Sequence, residues 1–373
     1  MNSDAPIIQA GNMQFLLIVA FAFVAGVQLY YYIRYFFPLT QHVNSDNATQ
    51  SSAVSIVISA KNEQETIEKC VQQLLNQNYP SFEIIVVNDY SEDDTWPILK
   101  KLESEQVVLV NNTQQQGKKS ALSQGIERAK NECLLFTDAD CMPNSKFWIS
   151  NMVCHLSDEK EVVLGFGAFR KEKGLLNKLI RFEGFMTGVQ CFGFAKSGKA
   201  YMGIGRNLMY KKSVFTRVGG FQEHQSTFSG DDDLLVNTVA TATNVAIEME
   251  EESHTISDAE KSWKRFILQK RRQLTAGVQY KKSDQLRLAI YGATNFLYYG
   301  LFLILLVVSP FTVLILGIFV VKQLLEFLLF REIAQRLREG DLMPFISFLE
   351  PLYIFSLTAI GISTWFWKVK QWK

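Results

Sequence analysis

The chain has 373 residues, of which 48% are hydrophobic and 20% are charged, and its formal net charge is +1. A balanced charge gives no long-range attraction for nucleic acid, so we expect no nucleic-acid partner. Five cysteines without CxxC or paired spacing favour reduced thiols over a disulfide framework.

The first predicted element is an apolar run at residues 15–37, which is long enough to span a bilayer. A cleaved signal peptide is the alternative, but the run is long for one and no Lys or Arg precedes it. The polar residues 41–52, rich in Asn, Ser and Gln, are typical of a linker. We therefore assign residues 1–40 to an N-terminal transmembrane helix and residues 41–52 to a linker.

Strand and helix patterns alternate after the linker, in a domain that we place at residues 53–258. The predicted strands are 54–59, 83–88, 107–110 and 133–137, and the predicted helices are 63–76, 91–104 and 118–129. This alternation predicts an α/β fold with a parallel sheet. Right-handed crossovers would bring the loops that follow these strands to one edge of the sheet. No GxGxxG or GxxxxGK[ST] phosphate loop is present.

An acidic pair, Asp138 and Asp140, follows the last of these strands. The carboxyl ends of strands are where open α/β sheets bind their ligands. Two carboxylates so close together are costly without a cation, and an oxygen-rich site suits Mg²⁺ or Mn²⁺. A solvated turn before Pro143 is the alternative for such a pair in isolation.

Other polar residues follow the neighbouring strands. Asn62 and Glu63 follow the first strand, and Asp89 follows the second. Asp89 suits hydrogen bonds to a base or a ribose, and capping of the next helix is an equal alternative. Lys118 begins a helix, where a cation opposes the helix dipole, which favours a nearby anionic ligand. The convergence of these groups predicts a binding site.

A second acidic cluster, Asp231-Asp232-Asp233, follows Gly230. Adjacent carboxylates raise one another's pKa, which favours a usable general base. Capping of a helix predicted at residues 234–241 is the alternative role, and we expect one of the three to serve it.

A basic amphipathic helix is predicted within residues 259–288. Its apolar face carries Trp263, Phe266, Ile267 and Leu274, and Gln269, Arg272 and Gln273 lie on another face. Binding at the membrane surface is one interpretation. A second amphipathic stretch, residues 175–189, is predicted to be another interface helix.

The C-terminal region, residues 289–373, is predicted to be transmembrane. Residues 289–308 and 311–330 form an apolar hairpin, and residues 345–367 are a fourth candidate span weakened by Glu350 and Pro351. Basic residues at 261–287 place the central domain in the cytoplasm. If residues 345–367 cross fully, the basic residues 368, 370 and 373 end on the opposite side, and the sequence leaves both possibilities open.

Several segments together resemble a known family. They are VSIVISAKNE, IIVVNDYSEDDT, GKKSAL, FTDADC, GIGRNLMYKK and FSGDDDLL, in this order between about residues 53 and 276. They are similar to family 2 glycosyltransferases, and most of all to membrane-bound synthases of cellulose, hyaluronan and poly-N-acetylglucosamine. The resemblance implies a GT-A fold (Rossmann-like), transmembrane helices, a nucleotide-sugar donor and inversion at the anomeric carbon.

The resemblance also implies roles for individual residues. It places Ala60, Asn62, Glu63, Asp89 and Lys118 on the donor, and gives Asp138 and Asp140 the family's DxD role of holding a divalent cation, Mn²⁺ or Mg²⁺. It makes Asp232, beside Asp231, the general base. QKRRQ resembles the family's QxxRW, which puts Gln269 and Arg272 near the diphosphate and Gln273 in the place of the Trp.

We therefore expect an integral membrane glycosyltransferase with a cytoplasmic catalytic domain, in the inner membrane if the source is bacterial. Its partners would be a nucleotide-sugar donor, which we expect to be UDP-linked from the resemblance, a lipid-linked or glycan acceptor, and membrane lipids. The alternatives are a processive polysaccharide synthase and a non-catalytic membrane subunit that binds nucleotide-sugar or glycan. The missing Trp weakens the case for a polymer acceptor.

Overall fold

A computed structural model describes residues 5–42, 52–224 and 230–366. The predicted linker lies mostly outside these residues, as do the basic residues 368, 370 and 373. Helix α1 (Ala5–Tyr31) continues through a π-helical turn (Tyr32–Phe36) into the short helix α2 (Phe37–Thr40). This continuous helix contains the predicted N-terminal span.

The central domain is built on a seven-stranded mixed sheet of order β3-β2-β1-β4-β8-β6-β9. Strands β1 to β4 run parallel, as predicted, whereas β8 pairs antiparallel with both β4 and β6. A second sheet has the order β5-β10-β7. The strands are β1 Val54–Ala60, β2 Phe82–Asn88, β3 Val107–Asn111, β4 Cys133–Phe136, β5 Met142–Pro143, β6 Val162–Gly165, β7 Gly167–Phe169, β8 Leu208–Lys211, β9 Val245–Glu248 and β10 Thr255–Ser257.

Helices cover both faces of the large sheet, because strands β1, β2 and β4 bury nearly every side chain on both sides. The remaining helices of this domain are α3 Ile67–Leu75, α4 Thr95–Leu102, α5 Lys118–Arg128, α6 Trp148–Val153, α7 Leu175–Lys196, α8 Lys212–Arg217 and α9 Asp233–Val239. Short 3₁₀ turns lie at Gln222–His224 and Glu251–Ser253.

Helix α7 differs from the amphipathic interface helix predicted at residues 175–189. Sixteen of its 22 residues are buried. One side of it packs against the sheet core, and the other contacts the N-terminal and C-terminal helices, as in the ring contacts of Phe185 with Phe330 and of Phe182 with Tyr353. A helix covered on both sides is apolar around most of its circumference, whereas the sequence pattern at residues 175–189 indicated only one covered face.

The chain ends in helices α10 Trp263–Gly277, α11 Lys282–Val308, α12 Thr312–Arg336, a 3₁₀ segment Gly340–Phe345 and α13 Ile346–Phe366. Four helical segments of the described chain are long and apolar enough to cross a membrane: residues 12–40, 282–308, 312–336 and 340–364. They agree with the four candidate spans predicted from the sequence.

Charged side chains are clustered inside this helical region. Lys322 on α12 lies 2.7 Å from Glu326 and 3.3 Å from Glu350 of α13, and all three are at most 1% exposed. Tyr32 donates a hydrogen bond of 2.8 Å to Glu326, and Tyr299 donates one to Glu350. Lys322, Glu326 and Glu350 therefore belong to one buried network that joins four helices.

Candidate active site

The acidic pair lies where β4 ends at Phe136, beside the end of β1. One carboxylate oxygen each of Asp138 and Asp140 and the sulfur of Cys141 lie within 4.8 Å of one another. Burial, followed by the charges of Asp140 and Asp138, raises the pKa of the Cys141 thiol well above its usual value. The thiol stays protonated, so the two carboxylates are the ligands that this group offers, and they suit Mg²⁺ or Mn²⁺.

Lys118 connects the two acidic clusters. Its ammonium lies 2.9 Å from Asp138 Oδ1 and 3.0 Å from Asp231 Oδ2. Burial lowers the pKa of Lys118, but the carboxylates of Asp138 and Asp231 outweigh burial and raise this pKa well above its usual value. The lysine is thus a permanent cation between the predicted metal-binding pair and the predicted base.

Asp232 has a fixed orientation at the start of α9. Its Oδ1 accepts the Asp233 N–H at 2.9 Å as the helix cap, and its Oδ2 accepts the Gly205 N–H at 2.5 Å. The cap that we expected from one of the three aspartates is therefore made by the predicted base itself. Burial, then the charge of Asp231, raises the pKa of Asp232 to about 6.

Asp233 forms its side-chain hydrogen bond with Tyr280. Burial, followed by the charge of Asp232, raises its pKa well above the usual value, while a hydrogen bond from Tyr280 opposes that rise. Tyr280 follows helix α10, and the methyl group of Ala276 on α10 lies close to Gly230. The C-terminal end of the basic helix α10 and Tyr280 therefore contact the acidic loop.

One cavity collects the acidic and basic groups. Its polar lining is Lys118, Thr137, Asp138, Asp231 and Asp232, and its apolar wall includes Phe136, Leu208, Tyr210 and Phe221. Apolar walls strengthen the electrostatic interactions among these charges. The arrangement can bind an anionic group beside a cation and present a carboxylate to a neighbouring hydroxyl.

The loops after β1 and β2 interlock beside the DxD loop. Asn62 has a left-handed backbone (φ 55°), and its side chain accepts the Glu92 N–H at 2.9 Å. The Glu63 N–H donates to Thr95 Oγ1 at 2.7 Å, and the Ala60 carbonyl accepts the Asp89 N–H at 2.8 Å. The structure therefore brings Ala60, Asn62, Glu63 and Asp89 together at one edge, as predicted.

The side chain of Asp89 is directed into the protein. It is fully buried, and both of its oxygens accept the Gly117 N–H at 3.1 Å, while Oδ1 also accepts Asn112 Nδ2 at 2.6 Å. It does not cap the next helix, since Asp93 accepts the Thr95 N–H there. Asp89 instead fixes the loop that leads into Lys118.

Gln269 and Arg272 are half-buried on α10, and neither is among the described residues that line the cavity. Between them, Lys270 is buried and pairs with Glu183 of α7 at 2.5 Å and with Gln273 Oε1 at 2.7 Å. The residue in the place of the family's Trp thus belongs to a polar network. Phe266, which we assigned to the exposed apolar face, is 2% exposed because it packs against α7 and α13.

Gly205 is a functional position that the sequence analysis did not single out. A Cβ at this position would meet Asp232 Oδ2 at 2.8 Å, which is too close for any other residue without a shift. Glycine is therefore needed for the N–H to reach the carboxylate. The signal was present in GIGRN, but only the structure shows its contact with the acidic loop.

Comparison with known proteins agrees with this geometry. Residues 55–219 match the model for glycosyl transferase family 2. The chain is 29% identical over 123 residues to the UDP-Glc:alpha-D-GlcNAc-diphosphoundecaprenol beta-1,3-glucosyltransferase WfaP of Escherichia coli, a match that covers 32% of this chain and 47% of that protein. It is 32% identical over 184 residues to glycosyltransferase AglE of Haloferax volcanii, covering 48% and 58%.

A third relative is the poly-beta-1,6-N-acetyl-D-glucosamine synthase of Staphylococcus aureus, 26% identical over 200 residues, with 51% of this chain and 47% of the synthase covered. The matches span about half the length of these relatives. Residues 55–219 of this chain therefore match a family 2 glycosyltransferase domain, as the sequence motifs predicted.

A solved structure confirms the fold. The mannosyltransferase PcManGT from Pyrobaculum calidifontis, in complex with GDP-Man and Mn²⁺, superposes with a TM-score of 0.60 at 15% identity. The superposition covers 91% of this chain and 99% of that chain. The predicted GT-A fold, a mixed α/β domain with apolar helices attached, is therefore confirmed.

Proposed function

We propose that this protein is an inverting, metal-dependent glycosyltransferase. It moves a sugar from a nucleotide-sugar, UDP-linked, to a hydroxyl of a lipid-linked or glycan acceptor at the cytoplasmic membrane face. The observation that carries the proposal is the bridge from Asp138 through Lys118 to Asp231. It joins the DxD motif and the acidic triplet, which are 93 residues apart between Asp138 and Asp231, in one cavity.

Donor binding uses the edge formed by the loops after β1, β2 and β4. Asn62 and Glu63 lie in this edge for the nucleotide, and Lys118 supplies a fixed positive charge for the diphosphate. Asp138 and Asp140 would hold a divalent cation, Mn²⁺ or Mg²⁺, whose charge offsets that of the leaving diphosphate. The mannosyltransferase that shares the fold is bound to a nucleotide-sugar and Mn²⁺, which supports this assignment.

Asp232 is the proposed general base. Inversion requires the acceptor hydroxyl to attack the anomeric carbon from the face opposite the leaving diphosphate, and to lose its proton during that attack. Both oxygens of Asp232 are oriented by main-chain N–H groups, and each retains a lone pair that can accept the proton. Asp231, tied to Lys118, holds that lysine between the donor and the base.

A lipid-linked acceptor is the form we favour over a growing polymer. The Escherichia coli relative is a glucosyltransferase named for the acceptor alpha-D-GlcNAc-diphosphoundecaprenol. In this chain Gln273 replaces the Trp of QxxRW and is bonded to Lys270, so this position offers no aromatic ring for a sugar to stack on. The similarity to the Staphylococcus aureus synthase supports the alternative of processive synthesis.

The experiment that tests the function is a donor screen. Purified protein is incubated with a panel of nucleotide-sugars and a total lipid extract as acceptor, and both released nucleotide and glycosylated lipid are measured. We expect one UDP-sugar to support both signals, and Asp232→Asn to abolish them. Release of no nucleotide from any donor, with well-folded protein, would favour a non-catalytic binding subunit, and products of many lengths would favour a polysaccharide synthase.

A further inference from the structure

Helix α13 begins beside the catalytic domain. In the 3₁₀ segment before it, Asp341 accepts hydrogen bonds from Lys171 at 2.8 Å and from Arg181 at 2.6 Å. Arg181 also pairs with Glu339, and both groups are 3% exposed. Lys171 precedes helix α7 and Arg181 lies in it. The start of α13 is therefore held to the catalytic domain by charge-assisted hydrogen bonds, of which the Arg181–Glu339 pair is buried.

The other end of α13 returns to the same domain. Ser363 accepts a hydrogen bond from Arg271 Nε of α10 at 2.9 Å. Ile360 packs in one buried cluster with Phe266 of α10, Leu179 of α7 and Ala259, which lies two residues after strand β10. Both ends therefore contact the catalytic domain.

The second turn of α13 contacts the membrane hairpin. Glu350 meets Lys322 of α12 and Tyr299 of α11. A helix rises 1.5 Å per residue, so Ser363 lies about 20 Å along the axis from Glu350. If α13 crossed the membrane, those 20 Å would carry Ser363 toward the turn at Ser309-Pro310 between α11 and α12. The bond to Arg271 places it beside α10 instead.

We propose that α13 lies along the membrane surface on the side of the catalytic domain and does not cross. Among the described residues, helices α1, α11 and α12 are then the segments that cross. The partner of α13 and α10 is the headgroup layer of the adjacent leaflet, containing anionic lipids. The exposed apolar side chains of the two helices include Trp263, Leu268, Leu274, Phe348, Ile362 and Phe366, and the exposed Lys264 and Arg265 beside them match anionic headgroups.

This arrangement also resolves a conflict in the sequence. A fourth crossing would put the basic residues 368, 370 and 373 on the side opposite to Arg331 and Arg336, against the positive-inside rule. A surface helix leaves the chain at Phe366 on the same side as those arginines.

The first test is a topology measurement on the full chain in a bacterial inner membrane. Green fluorescent protein, which fluoresces only in the cytoplasm, is fused after Lys373, and alkaline phosphatase, active only outside, is fused there in a parallel strain. We expect fluorescence and no phosphatase activity. The same two reporters inserted between Ser309 and Pro310 should give the opposite pattern. Phosphatase activity at both positions would overturn the proposal.

The second test measures depth in the bilayer. A fluorophore is attached at Leu357→Cys, near the middle of α13, in a Cys154→Ser background, since Cys154 is the accessible native cysteine among the five. The protein is reconstituted in phosphatidylglycerol-containing vesicles with spin labels on the headgroup or at the end of the acyl chain. We expect the headgroup label to quench more strongly, with Leu297→Cys near the middle of α11 as the deep control. Stronger quenching by the chain-end label at Leu357→Cys, or at Ala359→Cys if the first variant does not fold, would show a crossing helix.

Discussion

The carboxylate of Asp89 holds the main-chain N–H of Gly117 with both of its oxygens, at 3.1 Å each. Gly117 has a φ of 143°, and the next residue, Lys118, begins helix α5. The aspartate at the end of β2 thus sets the position of the lysine that bridges the two acidic clusters. Its closest partners are protein groups, so we now regard it as a positioning residue for the donor site.

Asp89→Asn should weaken donor binding. The amide oxygen can take the place of Oδ1, but the NH₂ group in the place of Oδ2 then faces the Gly117 N–H, donor to donor, and leaves a buried group unsatisfied. We expect the KM for the donor to rise by about 10-fold, the equivalent of the ~1–3 kcal/mol cost of such a group, with a smaller change in kcat. The control is Asp94→Asn, because Asp94 is exposed and makes no side-chain cap bond. Equal KM values for the two variants would contradict this role.

Asp140→Asn should remove the metal requirement together with the activity. EDTA is expected to abolish transfer by the unchanged protein, and added Mn²⁺ or Mg²⁺ to restore it, because the two carboxylates of the DxD motif provide the oxygen ligands. Asp140→Asn should stay inactive at metal concentrations that restore the unchanged protein, while its circular dichroism spectrum and melting temperature remain similar. Full activity of this variant in excess EDTA would show that no cation is held there.

Asp232→Asn should lower kcat by about 10²- to 10⁴-fold, the usual contribution of a general base. The amide keeps the size of the side chain but cannot take the proton of the acceptor. Donor affinity, measured by titration calorimetry with the nucleotide, should change little. Asp231→Asn is the matched comparison, and we expect it to disturb donor affinity more, since it releases Lys118. If Asp231→Asn had a strongly reduced kcat and Asp232→Asn a nearly normal one, the general base would be Asp231.

The pH dependence of kcat/KM should report the same group. Burial, then the charge of Asp231, raises the pKa of Asp232 from 3.8 to about 6. A base must be deprotonated to act, so kcat/KM should be constant above this pKa and fall about tenfold per pH unit below it. The effect of pH on stability has the opposite direction. The folded chain holds the proton of Asp232 more tightly than the unfolded chain does. The contribution of Asp232 to the free energy of unfolding therefore decreases as pH rises through about 6. An acidic limb that survives unchanged in Asp232→Asn would assign it to another group.

Arg272→Ala should impair turnover strongly, whereas Lys264→Ala should have little effect. Lys264 is exposed near the start of α10, while Arg272 is half-buried on the part of the helix that precedes Ala276 and the acidic loop. A guanidinium near a diphosphate makes charge-assisted hydrogen bonds that a surface lysine does not. Both variants should remain in the membrane fraction. Equal and mild losses of activity would leave α10 with the role of a membrane anchor alone.

The parallel half of the sheet could be predicted because its strands are buried and rich in β-branched residues. Strand β1 was expected at residues 54–59 and occurs at Val54–Ala60, and β4 was expected at 133–137 and occurs at Cys133–Phe136. The strands β5, β7 and β10 have two or three residues each, and they pair with segments up to 114 residues away. Such short strands carry no periodicity, so the sequence did not indicate the second sheet.

The candidate site was predictable as a set of residues but less so as a set of contacts. Asp138, Asp231 and Asp232 meet in one cavity as expected. The bridge made by Lys118, the inward direction of Asp89 and the need for Gly205 depend on how separate loops pack against each other. Likewise, the sequence placed Phe266 on the apolar face of an amphipathic helix and predicted a second amphipathic helix at α7. Only the neighbours of these two helices in space determine which of their faces are covered.

One hydrophobic core runs through the sheet, helix α7 and the apolar helices at both chain ends. It contains Val57 and Ile85 from the sheet, Phe36 from the N-terminal helix, and Phe330 and Leu349 from the C-terminal region. Truncating the chain at either predicted domain border would expose these side chains and leave a large apolar surface that favours aggregation. We therefore expect a truncated, water-soluble fragment to be unstable, because the sheet domain and the apolar helices share one core. Structural work should keep the whole chain in detergent or nanodiscs.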